Sequence, residues 1–346
     1  MELKVRLRKN VMALGVTTLF LLVGASLFAA GAREAVSNKN NTPSPAGAEA
    51  VNLRVATLRG PTGMGMIRLI DQAPRVTDGV SATYELIGTP ELMVSRILSG
   101  EVDIASLPLN IAAKLYNSGV EYQLAAVNVL GVLYLVSDGV PVEKLSDLKG
   151  KTVYLTGKGA NPDILMRYVL SENGLRPDRD VELNFNYDQV ELASMMVAGR
   201  VKLALLPEPF VTQVLERNPN ARVALRFEDV WKKTVGGTTP LAQGCLVVSR
   251  RAAQNHPRAV AAFLSRYRDS VDWVNADPKA AGILIEKHGM GLKASAAADA
   301  VPRMSLVYEP AEKAREAVAA FLGVLLKFSP ASIGGKLPDS GFYLQQ

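Results

Sequence analysis

From Val51 onward the chain alternates short apolar runs with stretches whose apolar residues recur every three or four positions. Runs rich in Val, Ile, Leu and Tyr, bounded by Gly, Pro, Asn or Asp, predict strands. They fall at Leu53–Leu58, Thr83–Ile87, Asp103–Leu107, Tyr122–Asn128, Thr152–Thr156, Val181–Tyr187, Leu203–Leu206, Arg222–Leu225 and Leu246–Ser249. Helices fill the gaps. Pro90 opens one that ends near Ser99-Gly100, and Pro162 opens another, since proline fits the first helical turn and glycine the exit. The last third reads as nearly all helical. Val260, Phe263, Leu264, Tyr267, Val271 and Val274 keep the 3.6-residue period, as do Val318, Phe321, Leu322 and Leu325. Alternation of this kind predicts an α/β fold with mostly parallel sheets flanked by helices.

One stretch occurs twice. Leu98-Ser99-Gly100-Glu101-Val102-Asp103-Ile104-Ala105-Ser106-Leu107-Pro108 returns as Val197-Ala198-Gly199-Arg200-Val201-Lys202-Leu203-Ala204-Leu205-Leu206-Pro207. Each copy reads as a helix end, a glycine, a strand and a proline that opens the next helix. Two halves built on one plan account for the repeat, with chance similarity between βα units as the alternative.

The N-terminus has a different pattern. Lys4, Arg6, Arg8 and Lys9 precede an apolar run from Val11 to Phe28, and Ala30-Gly31-Ala32 supplies small residues after it. Basic, then apolar, then small is the layout of a secretory signal, expected here over residues 1–32. A run this long also suits an uncleaved anchor. No cysteine stands at the cleavage point, so acyl anchoring is not expected. Residues 33–50 are polar and contain proline, and read as a disordered linker. Export to the periplasm or cell envelope follows.

Of the formal net charge of +6, half belongs to the first 32 residues. The remainder is spread along the chain with no basic block interleaved with aromatics, so nucleic acid is not an expected partner. Cys245 is the only cysteine, which rules out an internal disulfide and a thiolate metal cluster. His256 and His288 sit in polar helical contexts. No metal, cofactor or catalytic set is expected, because no nucleophile, base and orienting group converge in any loop.

Ligands of open α/β sheets bind beyond the carboxyl ends of the strands, so the loops there hold the candidate site. Pro61, Thr62, Gly63 and Met64 follow the first strand in a glycine-rich turn that opens a helix. Thr89 and Asn110 follow the next two. In the second half Thr156, Gly159, Ala160 and Asn161 form the matching loop, with Asn161 the expected helix cap. Tyr187 ends a strand where it could stack on a ring. Glu208, between two prolines at a helix start, could accept from a ligand donor. Caps and packing are the alternative role for each of these residues.

These residues carry a resemblance. Leu98 to Ala105, Leu145-Ser146-Asp147-Leu148-Lys149-Gly150-Lys151-Thr152-Val153 and Leu206-Pro207-Glu208-Pro209-Phe210 are similar to segments of the substrate-binding proteins of ABC transporters, in the nitrate/sulfonate/taurine and thiamine-precursor group of type II periplasmic binding proteins. The terminal Ser332-Ile333-Gly334-Gly335-Lys336-Leu337-Pro338 looks like a feature of one subgroup. The resemblance implies lobe I over 51–130 plus 247–346 and lobe II over 131–246. Crossings would lie near Leu130-Gly131 and Gly244-Cys245, with the ligand cleft between the lobes. It also implies capture of a small-molecule solute by lobe closure and delivery to an ABC permease with its ATPase, by a monomer that meets the membrane only through the permease or its own N-terminal segment. Pyrimidine synthases share the fold but use a cysteine-rich signature this chain lacks. A ligand sensor or a cofactor-biosynthesis enzyme on the same scaffold is the alternative function. A small planar or anionic organic ligand is expected from the two glycine loops at helix starts and from Tyr187, and a doubly charged anion is less expected because no obvious arginine clamp stands among the loops.

Overall fold

The computed structural model describes residues 50–345. The expected export segment over 1–32 and all but the last residue of the expected linker lie outside the described residues. A seven-stranded sheet contains β1 (Val51–Leu58), β2 (Arg75–Thr77), β3 (Val80–Ile87), β4 (Ile104–Pro108), β5 (Tyr122–Val129), β11 (Gly244–Ser249) and β12 (Leu306–Pro310), ordered β12-β5-β11-β4-β1-β3-β2. A five-stranded sheet contains β6 (Leu133–Asp138), β7 (Thr152–Tyr154), β8 (Glu182–Asn184), β9 (Leu203–Pro207) and β10 (Ala221–Arg226), ordered β10-β6-β9-β7-β8. The chain therefore leaves the first sheet after Val129 and re-enters it at Gly244.

The sheets are mixed rather than mostly parallel. β1 pairs in parallel with β3 and β4, and β7 with β8 and β9. β11 runs antiparallel between β4 and β5, and β6 runs antiparallel to β9 and β10. Both are the strands by which the chain arrives from the other sheet, so no helical crossover sets their direction. Three strands were not legible in the sequence: β2, β6 and β12. β6 is buried at every position and lacks alternation. β12 interrupts the expected helical third. β7 and β8 are shorter than expected.

Helices cover both sheets. They are α1 (Pro61–Met64), α2 (Ile67–Asp71), α3 (Pro90–Leu98), α4 (Leu109–Asn117), α5 (Asn161–Glu172), α6 (Gln189–Val197), α7 (Phe210–Arg217), α8 (Phe227–Val235), α9 (Arg250–Asn255), α10 (Pro257–Ala276), α11 (Pro278–Lys287), α12 (Ala294–Ala300) and α13 (Arg315–Phe328). The repeated stretch forms α3-β4-α4 in one sheet and α6-β9-α7 in the other. Gly100 (φ 70°) and Gly199 (φ 68°) make the same left-handed exit, a conformation that glycine takes without steric cost. Among the described residues no helix is long and apolar enough to cross a membrane.

Strand alternation divides the core. Leu53, Val55, Ile104, Leu246 and Val248 face the predicted stripe of α10, from Val260 to Val274. The opposite face, with Ala56, Ala105, Leu107 and Val247, packs on α13 through Val318, Phe321 and Leu322. That cluster continues without a break into the second sheet through Leu133, Val153, Leu205 and α5. α13 touches α5 directly, with Phe328 edge-on to Tyr168 at 6.2 Å.

Asp103 ties the start of β4 to its surroundings. Its oxygens accept from Arg54 Nη2 (2.8 Å), Nε (3.0 Å) and backbone N (3.0 Å), and from Arg251 Nη2 (2.9 Å). Burial would raise its pKa, but the Arg54 bonds, joined by Arg251, outweigh burial and hold the carboxyl below its ordinary value. A carboxyl depressed in the folded state stabilises fully above its unfolded pKa of about 4 and loses that contribution as pH falls through the folded value. Asp103→Asn is expected to cost about 2 kcal/mol at neutral pH. It should also flatten the acid limb of a melting-temperature profile below about pH 4. Parallel wild-type and variant profiles would contradict this.

Candidate functional site

The loops that end β1, β7 and β9 are held by buried polar side chains. After β1, Gly60 (φ 112°) turns the chain into α1, and its carbonyl accepts from Gly63 N and Met64 N, both at 3.0 Å. The Thr62 carbonyl accepts from Ser106 Oγ (2.5 Å) and Asn128 Nδ2 (3.3 Å), and Asn128 Nδ2 also donates to Ser106 Oγ (2.8 Å). Ser106 and Asn128 are fully buried, so they fix this loop from inside the sheet. Thr62 and Pro61 are half-exposed at the loop surface. Gly63 and Met64 are buried, Met64 in the core beside Met66 and Ile67, and belong to packing rather than to the surface of the loop.

Thr89 is exposed and caps α3, its Oγ1 accepting from Leu92 N at 3.3 Å. Asn110 and Asn161 meet: Asn161 Nδ2 donates to Asn110 Oδ1 at 3.1 Å. One lies in the first turn of α4 on the seven-stranded sheet and the other in the first turn of α5 on the five-stranded sheet. Their contact joins the two strand-end surfaces. Asn161 is not the cap of α5. Ala160 occupies that position, and Asp163 Oδ2 reaches back to the Gly159 amide at 2.8 Å while Oδ1 pairs with Arg167 Nε at 2.6 Å. The sequence reading was one residue late because proline sits at the second helical position, leaving Asn161 free to turn outward. The Gly159 amide is occupied by that carboxylate. Ala160 is exposed and Thr156 buried.

Tyr187 stacks on Tyr154 at 5.9 Å with an interplanar angle of 28°, a neighbour the sequence did not suggest. Glu208 is buried, and its carboxylate is committed. Oε1 accepts from Arg303 Nε at 2.5 Å, and Oε2 from Thr212 Oγ1 (2.9 Å) and Thr212 N (3.2 Å). Burial pushes the Glu208 carboxyl above its ordinary pKa, and Arg303 and Thr212 pull the other way. The expectation that Glu208 accepts from a ligand is corrected to this ion pair, with a partner 95 residues away that spacing could not reveal.

The loop surface thus offers neutral donors and acceptors from Thr62, Asn110 and Asn161, with exposed Lys158 nearby in sequence. Cys245 is buried, its Sγ 3.5 Å from the Leu107 carbonyl, and burial raises its thiol pKa, so it keeps its proton. Among the described residues no group of three His, Cys, Asp or Glu side chains could hold a metal. Cavities of about 430 Å³ beside α10 and about 300 Å³ at the return crossover contain none of the predicted loop residues.

Comparison with known proteins places this geometry. A family described as ABC transporter, phosphonate, periplasmic substrate-binding protein matches residues 69–299. A crystal structure of an ABC transporter protein from Parabacteroides distasonis is 29% identical, with a TM-score of 0.72 over 85% of this chain and 99% of that one. The periplasmic aliphatic sulphonate binding protein SsuA from Escherichia coli is 16% identical, with a TM-score of 0.64 over 85% and 94%. The periplasmic nitrate-binding protein NrtA from Synechocystis is 12% identical, with a TM-score of 0.60 over 81% and 82%. No curated protein matches. Two mixed sheets flanked by helices, matched in this way, are the two-lobed type II periplasmic-binding-protein fold.

Proposed function

We propose, on the premise that the chain belongs to the phosphonate ABC-transporter family of periplasmic substrate-binding proteins, that it binds a small, singly charged organic anion between the strand-end loops of its two lobes. The protein is the solute-binding component of an ABC-type importer and works with a membrane permease. In our reading lobe I comprises 51–130 with 247–346 and lobe II comprises 131–246. It acts as a monomer, exported by residues 1–32, and an ATPase drives the permease. It performs no covalent chemistry on its solute. In support, Cys245 is buried and protonated, and the carboxylate of Glu208 is tied up by Arg303 and Thr212.

The observation that carries the ligand reading is the Asn161–Asn110 contact at 3.1 Å, where neutral amides from both lobes converge. Amides can donate to sulfonate or phosphonate oxygens, but a buried dianion needs a paired cation to offset its desolvation. Arg303, which bridges from one lobe to the other, is already paired with Glu208. The solutes named for the family and its structural neighbours are phosphonate, sulphonate and nitrate, all oxyanions.

Calorimetric titration with ethanesulfonate and methylphosphonate tests this. Ethanesulfonate is expected to bind equally at pH 6 and pH 9, and methylphosphonate more tightly at pH 6, where it carries one charge. Asn161→Ala and Asn110→Ala should each weaken binding about tenfold, the equivalent of about 1.4 kcal/mol. Binding of neither solute, or unchanged affinity in both variants, would refute the ligand class or the site respectively.

A further inference from the structure

The segment joining the two sheets, Leu130-Gly131-Val132, keeps backbone bonds at its ends, Leu130 N to the Ser305 carbonyl and Glu208 N to the Val132 carbonyl, both at 3.1 Å, while side chains hold its middle. Gly131 N donates to Glu228 Oε2 (3.2 Å), the Gly131 carbonyl accepts from Ser305 Oγ (3.3 Å), and Val132 N donates to Gln243 Oε1 (3.0 Å). Glu228 does more than satisfy one amide. The same Oε2 accepts from Leu241 N at 3.1 Å, and Leu241 lies on the return crossover. A single carboxylate oxygen thus ties the outgoing and returning segments together. Glu228 is 5% exposed, and Lys232 Nζ lies 3.0 Å from its other oxygen, balancing the charge.

Gly131 fits the same arrangement. A Cβ there would lie 2.6 Å from Glu228 Oε2 and 2.8 Å from Glu228 Cβ. The absence of a side chain lets the Gly131 amide reach the carboxylate. Amide bonds to an ionised acceptor are stronger than neutral ones. A side-chain acceptor can also follow a rotating amide, whereas a strand ladder shifts by whole registers. Lobe closure needs a few residues that absorb backbone rotation.

We infer that Glu228 is the hinge pin: a positioning residue whose bonds to Gly131 and Leu241 set how the two lobes are oriented. This rests on the reading that the lobes close on a solute, and the test separates the two.

Spin labels on cysteines introduced at Glu91 of α3 and Val190 of α6, both exposed, report the interlobe distance by pulsed electron resonance. Cys245 is buried and stays unlabelled. Without solute, the wild type should give one narrow distribution. Glu228→Ala should widen it about twofold as the crossovers uncouple. Glu228→Gln keeps an acceptor oxygen for both amides and should restore the wild-type width. A purely structural role would lower the melting temperature of Glu228→Ala and leave the distance unchanged, which would overturn the inference. Should Glu228→Ala fail to fold, Gly131→Ala, which displaces the carboxylate, must widen the distribution, and an unchanged width there overturns it equally. A wild-type distance that ignores ethanesulfonate would reject that solute and leave the hinge result standing.

Discussion

Glu208→Ala is expected to destabilise the protein by about 3–5 kcal/mol, the range for removing one partner of a buried ion pair. The replacement strands three donors. Arg303 Nε loses its partner at 2.5 Å, and Thr212 N and Oγ1 lose theirs at 3.2 and 2.9 Å. The Glu208 side chain is fully buried and that of Arg303 is 28% exposed, so water reaches only part of a guanidinium left with Thr212 Oγ1 on Nη2 and no counter-charge. The loss also propagates across the interface. Arg303 belongs to the segment between α12 and β12, and its carbonyl accepts from Tyr134 Oη of β6 at 2.7 Å. Removing both charges, as in Glu208→Leu with Arg303→Leu, should cost less than Glu208→Ala alone, because no uncompensated charge remains. Urea unfolding of the two variants measures the difference. A double variant less stable than the single would contradict the expectation.

Gly63→Ala is expected to cost about 3 kcal/mol through overpacking. The new Cβ would lie 2.4 Å from the Leu58 carbonyl oxygen, 2.7 Å from Thr57 Oγ1 and 3.2 Å from Thr57 Cγ2. The nearest of these is backbone in the central strand β1 and cannot swing aside, so α1 must lift away. The Thr62 carbonyl then leaves Ser106 and Asn128, and solute affinity should fall together with stability. Gly88→Ala is the control, since nothing lies within 4 Å of its Cβ and its φ is not positive. Its stability should stay within about 0.5 kcal/mol of wild type. Equal melting temperatures for the two variants would refute the packing argument.

Much of the fold was legible because it is local. Proline and glycine bracket α3 and α5, the stripe of α10 keeps helical period, and the repeated stretch marks equivalent strands in both sheets. β6 escaped because a strand buried on both faces has no alternation to read. β12 is half-buried at an edge amid helices, where neighbours rather than pattern decide. Asn110 and Asn161 stood out as candidates from their strand-end position, but their contact spans 51 residues. Ser106 and Asn128 left a faint signal as polar residues within apolar strands. Glu208 stood out at a helix start as an acceptor for a ligand donor, and only the tertiary fold brings Arg303 to it. The clip formed by the terminal motif was equally non-local: Asn117 Nδ2 donates to the carbonyls of Ile333 (2.6 Å) and Lys336 (2.7 Å).

The placement of β11 has a consequence for how the chain must assemble. β4 and β5 are complete by residue 129, yet the strand that belongs between them is synthesised more than a hundred residues later. Until Gly244–Ser249 arrives, both strands keep open hydrogen-bonding edges of the kind that recruit other chains, and pairing across so long a separation is slow. A polypeptide halted before that point should therefore aggregate instead of forming a stable half-molecule.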